Sequence, residues 1–320
     1  MSAEFMVTAF NANALIRELR KASGLTQEKL AEGICSRSTI NMIEQGKRKP
    51  DWYIFKNVLW KLGVNPYLYY NDVVSEVDSF VISKHQELIK LINAWEYDKV
   101  YDEVKLLEND KRFTSGEGYR ILLRLKSIAY AQGKHQDSAR ALGYQIEEMK
   151  LHRPDFDINN VNDYFLSAEE IAILSNMVTP YQQLEGQEKG IEILEAIIFI
   201  LERDYSNNIR GNGLNHLYFG NLINLCSAYK KTERWDDCIT TAEKVMKYYV
   251  GDLDTLQYAY SLHYKAFSLL KLGKKDEGEA LYKKFLLYVY IFEGYAKLGS
   301  EYKEEFVKEF GYKLDLSVEW

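Results

Sequence analysis

Four stretches of this chain follow one plan. They are "LINAWEYDKVYDEVKLLEN" (91–109), "IAYAQGKHQDSARALGYQIEEM" (128–149), "LCSAYKKTERWDDCITTAEKVMKYY" (225–249) and "SLLKLGKKDEGEALYKKFLLY" (268–288). Each joins an apolar helical segment through a short turn to a second segment that a small residue opens. One such helix pair cannot bury its apolar face alone, so the pairs must stack on one another. Only four prolines occur in 320 residues. Helix interiors exclude proline, whereas strand-rich folds need turns, so the count agrees with an all-α chain.

Setting Val100, Ser138, Gly190, Cys238 and Gly278 in register gives five units, spaced by 38, 52, 48 and 40 residues. Pro180 interrupts the first helix of the third unit and makes its register the weakest. Fourteen residues before the small positions stand Gln86, Arg124, Asn176, Asn224 and Tyr264, all polar within apolar helices. An asparagine amide both donates and accepts, so it suits the backbone of an extended peptide, and Arg124 suits a carboxylate. Asn221 and His263 neighbour the same face. Each of these residues can instead simply face solvent; their recurrence at one register argues for a lining. The tail "GYAKLGSEYKEEFVKEFGYKL" reads as a capping helix. The plan resembles the tetratricopeptide repeat, with a period longer than the usual ~34 residues. That resemblance implies a right-handed superhelix of degenerate helix pairs, with a concave groove lined by the first helix of each pair.

Residues 11–70 are organised differently. "NALIRELRKASG" carries Leu15, Leu19 and Ala22 on one face and stops at Gly24. Thr26 fits an N-cap for "QEKLAEGI", with Leu30, Ala31 and Ile34 inward, and Ser36 fits one for "RSTINMIE", with Ile40 and Ile43 inward. Gly46 ends that helix. "DWYIFKNVLWKLGV" supplies a fourth, with Trp52, Phe55, Leu59 and Leu62 buried, and "PYLYY" starts a fifth. Two short helices joined by a tight turn form the helix-turn-helix plan. "LTQEKLA", "SRSTI" and "IE-x-G-K-x-x-P" resemble the repressor-type helix-turn-helix over residues 11–66. The turn "GICSRS" is one residue shorter than the common pattern, and in this it is similar to the RRNPP class of peptide-pheromone regulators.

The resemblance implies roles at named positions. Gln27 would hold a phosphate. Arg37, Ser38 and Thr39 would meet base edges, with Asn41 and Met42 one turn on; Met42 packs more often than it reads bases. Lys47, Arg48 and Lys49 would touch backbone phosphates, although three cations can also form a solvated loop. Cys35 is expected in the core, and Glu44 is expected to pair with a nearby cation or cap a backbone group.

Charge supports the division. Residues 1–66 carry ten Lys/Arg against six Asp/Glu, whereas the whole chain carries a net charge of −6. Phosphate neutralisation needs local cations, not a basic protein. Three cysteines without metal spacing read as free thiols of a reducing cytosol. The longest apolar run, "AIIFIL", is too short to span a bilayer, and no signal peptide is expected ahead of the first helix. The chain carries no G-x-S-x-G, P-loop, H-E-x-x-H or paired-cysteine motif, and its five histidines are scattered. No enzyme, cofactor or metal site is therefore expected.

These features predict an all-α protein with a helix-turn-helix head (1–70) and a tetratricopeptide-like body (71–320), and the resemblance implies that the body binds peptide and dimerises. The RRNPP resemblance implies a cytoplasmic quorum-sensing transcription regulator. It would bind operator DNA as a homodimer, switched by a short signalling peptide, with the start of residues 72–92 as a hinge. A DNA-binding repressor whose body takes a protein antagonist is the alternative.

Overall fold

The computed structural model describes residues 11–50, 52–69, 76–205, 214–248, 255–291 and 296–314. Its head is built from α1 (Ala12–Ala22), α2 (Gln27–Ala31), α3 (Arg37–Glu44) and α4 (Trp52–Lys61). Local chemistry sets these ends. The side chains of Asn11, Thr26 and Ser36 accept from backbone N–H groups of the first turns of α1, α2 and α3. Gly46 takes φ +71°, a left-handed conformation that lets the chain leave α3 at once. Ile16, Leu30, Ile40, Ile43, Phe55 and Leu59 are fully buried in one core.

Two expectations for the head need correction. On α1 the buried residue is Ile16; Leu15 and Leu19 pack at the core's margin and Ala22 is exposed, because the helix ends there. Of "PYLYY", Pro66–Tyr69 form a 3-10 turn where a helix was expected to start, and Tyr70 lies outside the described residues.

The body runs through α5 (Glu76–Asn93), α6 (Tyr97–Leu107), α7 (Gly116–Ala131), α8 (Ser138–His152), α9 (Ala168–Glu185), α10 (Gln187–Tyr205), α11 (Asn215–Lys231), α12 (Trp235–Tyr248), α13 (Thr255–Lys271), α14 (Lys275–Ile291) and α15 (Ala296–Phe310). Among the described residues there is no strand, and no helix is long and apolar enough to cross a membrane. The chain divides into two compact units. One holds Met1–Gly186 and Phe199–Leu214; the other holds Gln187–Ile198 and Asn215–Trp320.

In the first unit, α5 serves two cores. Ile82 joins the head core, whereas Val81 and Leu88 pack with Val100, Val104 and Leu122 of the first repeats. The segment expected to connect head and body is thus helical from Glu76; its start, with the expected hinge, lies outside the described residues. In the second unit, α13, α14 and α15 share a core of Leu262, Ala266, Tyr282, Phe285 and Phe306. The tail helix α15 packs on α14, as a cap on the last pair should.

The small residues fall where close packing needs them, with one correction. Val100, Gly190, Cys238 and Gly278 each occupy the fourth position of their helix and are buried. Ser138 is instead the first residue of α8 and half-exposed; the buried small residue there is Ala141. The α7–α8 turn spans 132–137, against three residues in the α5–α6, α11–α12 and α13–α14 turns. The added length moved the expected register by three. The first helices are unaffected: Gln86, Arg124, Asn224 and Tyr264 all stand seven residues before the last residue of theirs.

Candidate nucleic-acid interface and ligand face

The first turn of α3 presents Arg37 and Ser38 to solvent, while Ile40 and Ile43 anchor the opposite side of the helix in the core. An exposed polar first turn on a rigidly backed helix is the geometry that lets side chains reach base edges in a major groove. Asn41 and Met42 are half-exposed one turn further along, and Gln45 donates to Asn41. Lys47, Arg48 and Lys49 are exposed just past the helix. Their segment is clamped by Asn13, whose amide donates to the carbonyls of Ile43 and Arg48 at 2.6 Å each.

Two expected DNA contacts sit differently. Thr39 is 8% exposed. Its hydroxyl lies 3.0 Å from that of Ser36, and its N–H donates to Ser36, so it completes the helix cap instead of facing outward. Gln27 donates its amide to Glu44 at 2.8 Å, which commits that donor inside the head. Glu44 is the hub of this interior. Arg20 meets it with two donors, Nε to Oε1 at 2.5 Å and Nη2 to Oε2 at 2.9 Å. Burial alone would raise the Glu44 carboxyl, but the donors from Arg20 and Gln27 hold it below its ordinary value.

Residues 16–51 match the helix-turn-helix family. This segment is a helix-turn-helix domain. The fold of the whole chain is similar to that of Bacillus thuringiensis PlcR, solved in complex with the peptide PapR7 and DNA. Identity there is 19%, covering 93% of this chain and 99% of that one, with a TM-score of 0.55. A putative transcriptional regulator from Listeria monocytogenes EGD-e matches at 17% identity over 96% of this chain and 100% of that one, with a TM-score of 0.47. The Streptococcus dysgalactiae SHP pheromone receptor Rgg2 matches at 18% over 93% and 99%, with a TM-score of 0.45. No curated protein matches the chain in sequence. The chain thus carries a helix-turn-helix head on a body of helices.

The expected ligand face divides between the two units. In the first, Gln86 on α5 and Asn176 on α9 are exposed, and Arg124 on α7 is one-fifth exposed. Arg124 is held from within by two carboxylates: its Nη2 donates to Glu148 at 2.5 Å and Glu169 at 3.0 Å. In the second unit Asn224 is exposed and Tyr264 half-buried. Asn221 and His263 support this face from beneath. Asn221 is buried and donates to the Leu217 carbonyl of its own helix. His263 is 1% exposed, ringed by Tyr264, Tyr282, Phe285 and Tyr302, and burial keeps its imidazole neutral, with a pKa well below the ordinary value. Next to it opens a cavity of about 370 Å³ lined by Lys230, Trp235, Tyr264, Phe267, Lys271 and Tyr302, among others. Lys230 pairs with Glu305, and Lys271 with Glu309, across it.

Sequence reasoning missed two groups. Asn13 gives no local signal, because its partners lie 30 and 35 residues away. Lys56 had a signal. It stands four residues after Trp52 and three before Leu59, on the apolar stripe of α4, where a lysine needs an anionic partner. It is 1% exposed and donates to Glu117 on α7 at 2.5 Å and Glu169 on α9 at 3.3 Å.

Proposed function

We propose that this chain is a DNA-binding transcription regulator of the RRNPP class, acting in the cytoplasm as a homodimer, whose repeat body takes a short signalling peptide. The observation that carries the DNA reading is the exposed Arg37–Ser38 turn on a helix whose far side is locked in the core. Arg37 reads a guanine, Ser38 and Asn41 meet neighbouring groups, and Lys47, Arg48 and Lys49 neutralise phosphates. Thr39 and Gln27 act behind them, by fixing the cap and Glu44. One small head makes few contacts, so two heads of a dimer, each on a half-site, supply the affinity. The peptide reading is supported by the shared fold with PlcR, itself solved with a peptide and DNA, and by the recurrent polar row Gln86, Arg124, Asn176, Asn224 and Tyr264. A peptide can move the equilibrium only through different affinities for two states of the protein.

The test is operator binding by anisotropy, using DNA upstream of the chain's own gene. Arg37→Ala should weaken specific binding by roughly tenfold or more, the usual worth of a bidentate guanine contact; unchanged affinity removes the reading role. Short peptides encoded beside the gene should shift operator affinity. Asn224→Ala should abolish that shift and leave peptide-free binding intact. A full-strength response from Asn224→Ala would place the peptide elsewhere.

A further inference from the structure

Between the head and the first repeats lies a buried cluster of charges that DNA reading does not require. Lys56 enters from α4; Glu117 and Arg124 come from α7, Glu148 from α8 and Glu169 from α9. Arg120 completes it, lying 3.9 Å from Glu117 with its guanidinium 4.1 Å over the ring of Tyr53 on α4. Three carboxylates thus face three cations, of which Arg120 and Arg124 are partly exposed. Such an arrangement is weak evidence for stability in itself, since desolvation offsets most of the attraction.

The decisive detail is a single atom. Oε1 of Glu169 accepts from Arg124 Nη2 at 3.0 Å and from Lys56 Nζ at 3.3 Å. The two cations divide one oxygen and repel each other. One belongs to the head and is 1% exposed. The other reaches the surface of the repeat body, one-fifth exposed. We infer that Glu169 is the positioning residue through which Arg124 sets how firmly helix α4 of the DNA-reading head is held.

When Arg124 swings toward a carboxylate arriving from solvent, Oε1 is left to Lys56 alone and the repulsion between the cations disappears. The head is then held more tightly. Glu148 is the group left behind. Arg124 is its donor, and Glu169, Lys56 and His152 lie around it. Burial already pushes its carboxyl up to about 7, so it takes a proton instead of staying charged and alone. The trigger rests on the ligand reading of Arg124; the coupling between Arg124, Glu169 and Lys56 does not.

Hydrogen–deuterium exchange of the full chain, without peptide or DNA, tests the coupling separately from the function. The amides of α4, residues 52–61, are the readout, and those of α11–α13 in the other unit are the reference for general loosening. Glu169→Gln should speed α4 exchange about tenfold relative to the reference, as expected for sub-global opening of an element that has lost a buried tie. Arg124→Met, which mimics withdrawal of the guanidinium, should slow it. Lys56→Met replaces the buried ammonium with an apolar chain of similar length and should erase the effect of Arg124→Met. Unchanged α4 exchange in Glu169→Gln, or faster exchange in Arg124→Met, overturns the inference. If the coupling holds but no peptide shifts operator affinity, the peptide reading fails and the coupling stands.

Discussion

Glu44 illustrates what single residues do here. Its carboxylate is 5% exposed and takes three donors, two from Arg20 and one from Gln27. Glu44→Ala would leave the half-buried Arg20 guanidinium without its counter-charge. Removing one member of such a pair costs about 3 kcal/mol, and chemical denaturation of the head should register a loss of that order. A structural role for Glu44, in an ion pair or a backbone cap, was legible in the sequence; that the partner is Arg20 was not, because it lies 24 residues away. Pro180 teaches the same lesson. It suggested an interrupted helix, yet α9 runs through it. Proline has no N–H to donate to the carbonyl of Asn176, four residues back, and Gln145 of α8 supplies that donor at 3.0 Å. Such a repair from a neighbouring helix leaves no local trace in the sequence.

At the scale of elements, the sequence reads well wherever the signal spans three or four residues. The caps at Thr26 and Ser36, the inward pairs Leu30–Ala31 and Ile40–Ile43, and the exit at Gly46 all follow from contacts between near neighbours. Packing distances between helices need the structure. A Cβ at Gly278 would lie 2.6 Å from Cγ of Leu270 on the facing helix, whereas one at Gly143, mid-helix in α8, would meet nothing within 4 Å. The two glycines should therefore respond oppositely. Gly278→Val should destabilise the second unit by roughly 2 kcal/mol through overpacking. Gly143→Ala should stabilise the chain by up to about 1 kcal/mol, the difference in helix propensity. Thermal melts of the two variants beside the parent check both signs.

Over the whole molecule, the buried histidines of the first unit make acid a specific stress. Burial pushes both His85 and His152 down to about 4. Both are neutral in the folded chain at neutral pH. As pH falls below about 6.5, the unfolded chain takes up protons that the folded chain refuses, so stability declines until the folded histidines also charge near 4. For His152, 4% exposed, the loss at the bottom of that window is on the order of 3 kcal/mol. Denaturant midpoints measured from pH 7 to 4 should fall for the parent and fall less for His152→Phe. The division into head and repeats was readable because it rests on periodicity and composition. The seam joining them was not, because Glu117 and Glu169 lie 61 and 113 residues from Lys56. The longer turn between α7 and α8 has its own consequence. Counted from the ends of the first helices, the row Gln86, Arg124, Asn224 and Tyr264 keeps step although that turn is twice the length of its counterparts. Residues can be spliced into such a turn, or removed, without changing the place of Arg124 within α7. Spacer length and surface lettering are thus written in separate stretches of chain, and one can be rewritten while the other is kept.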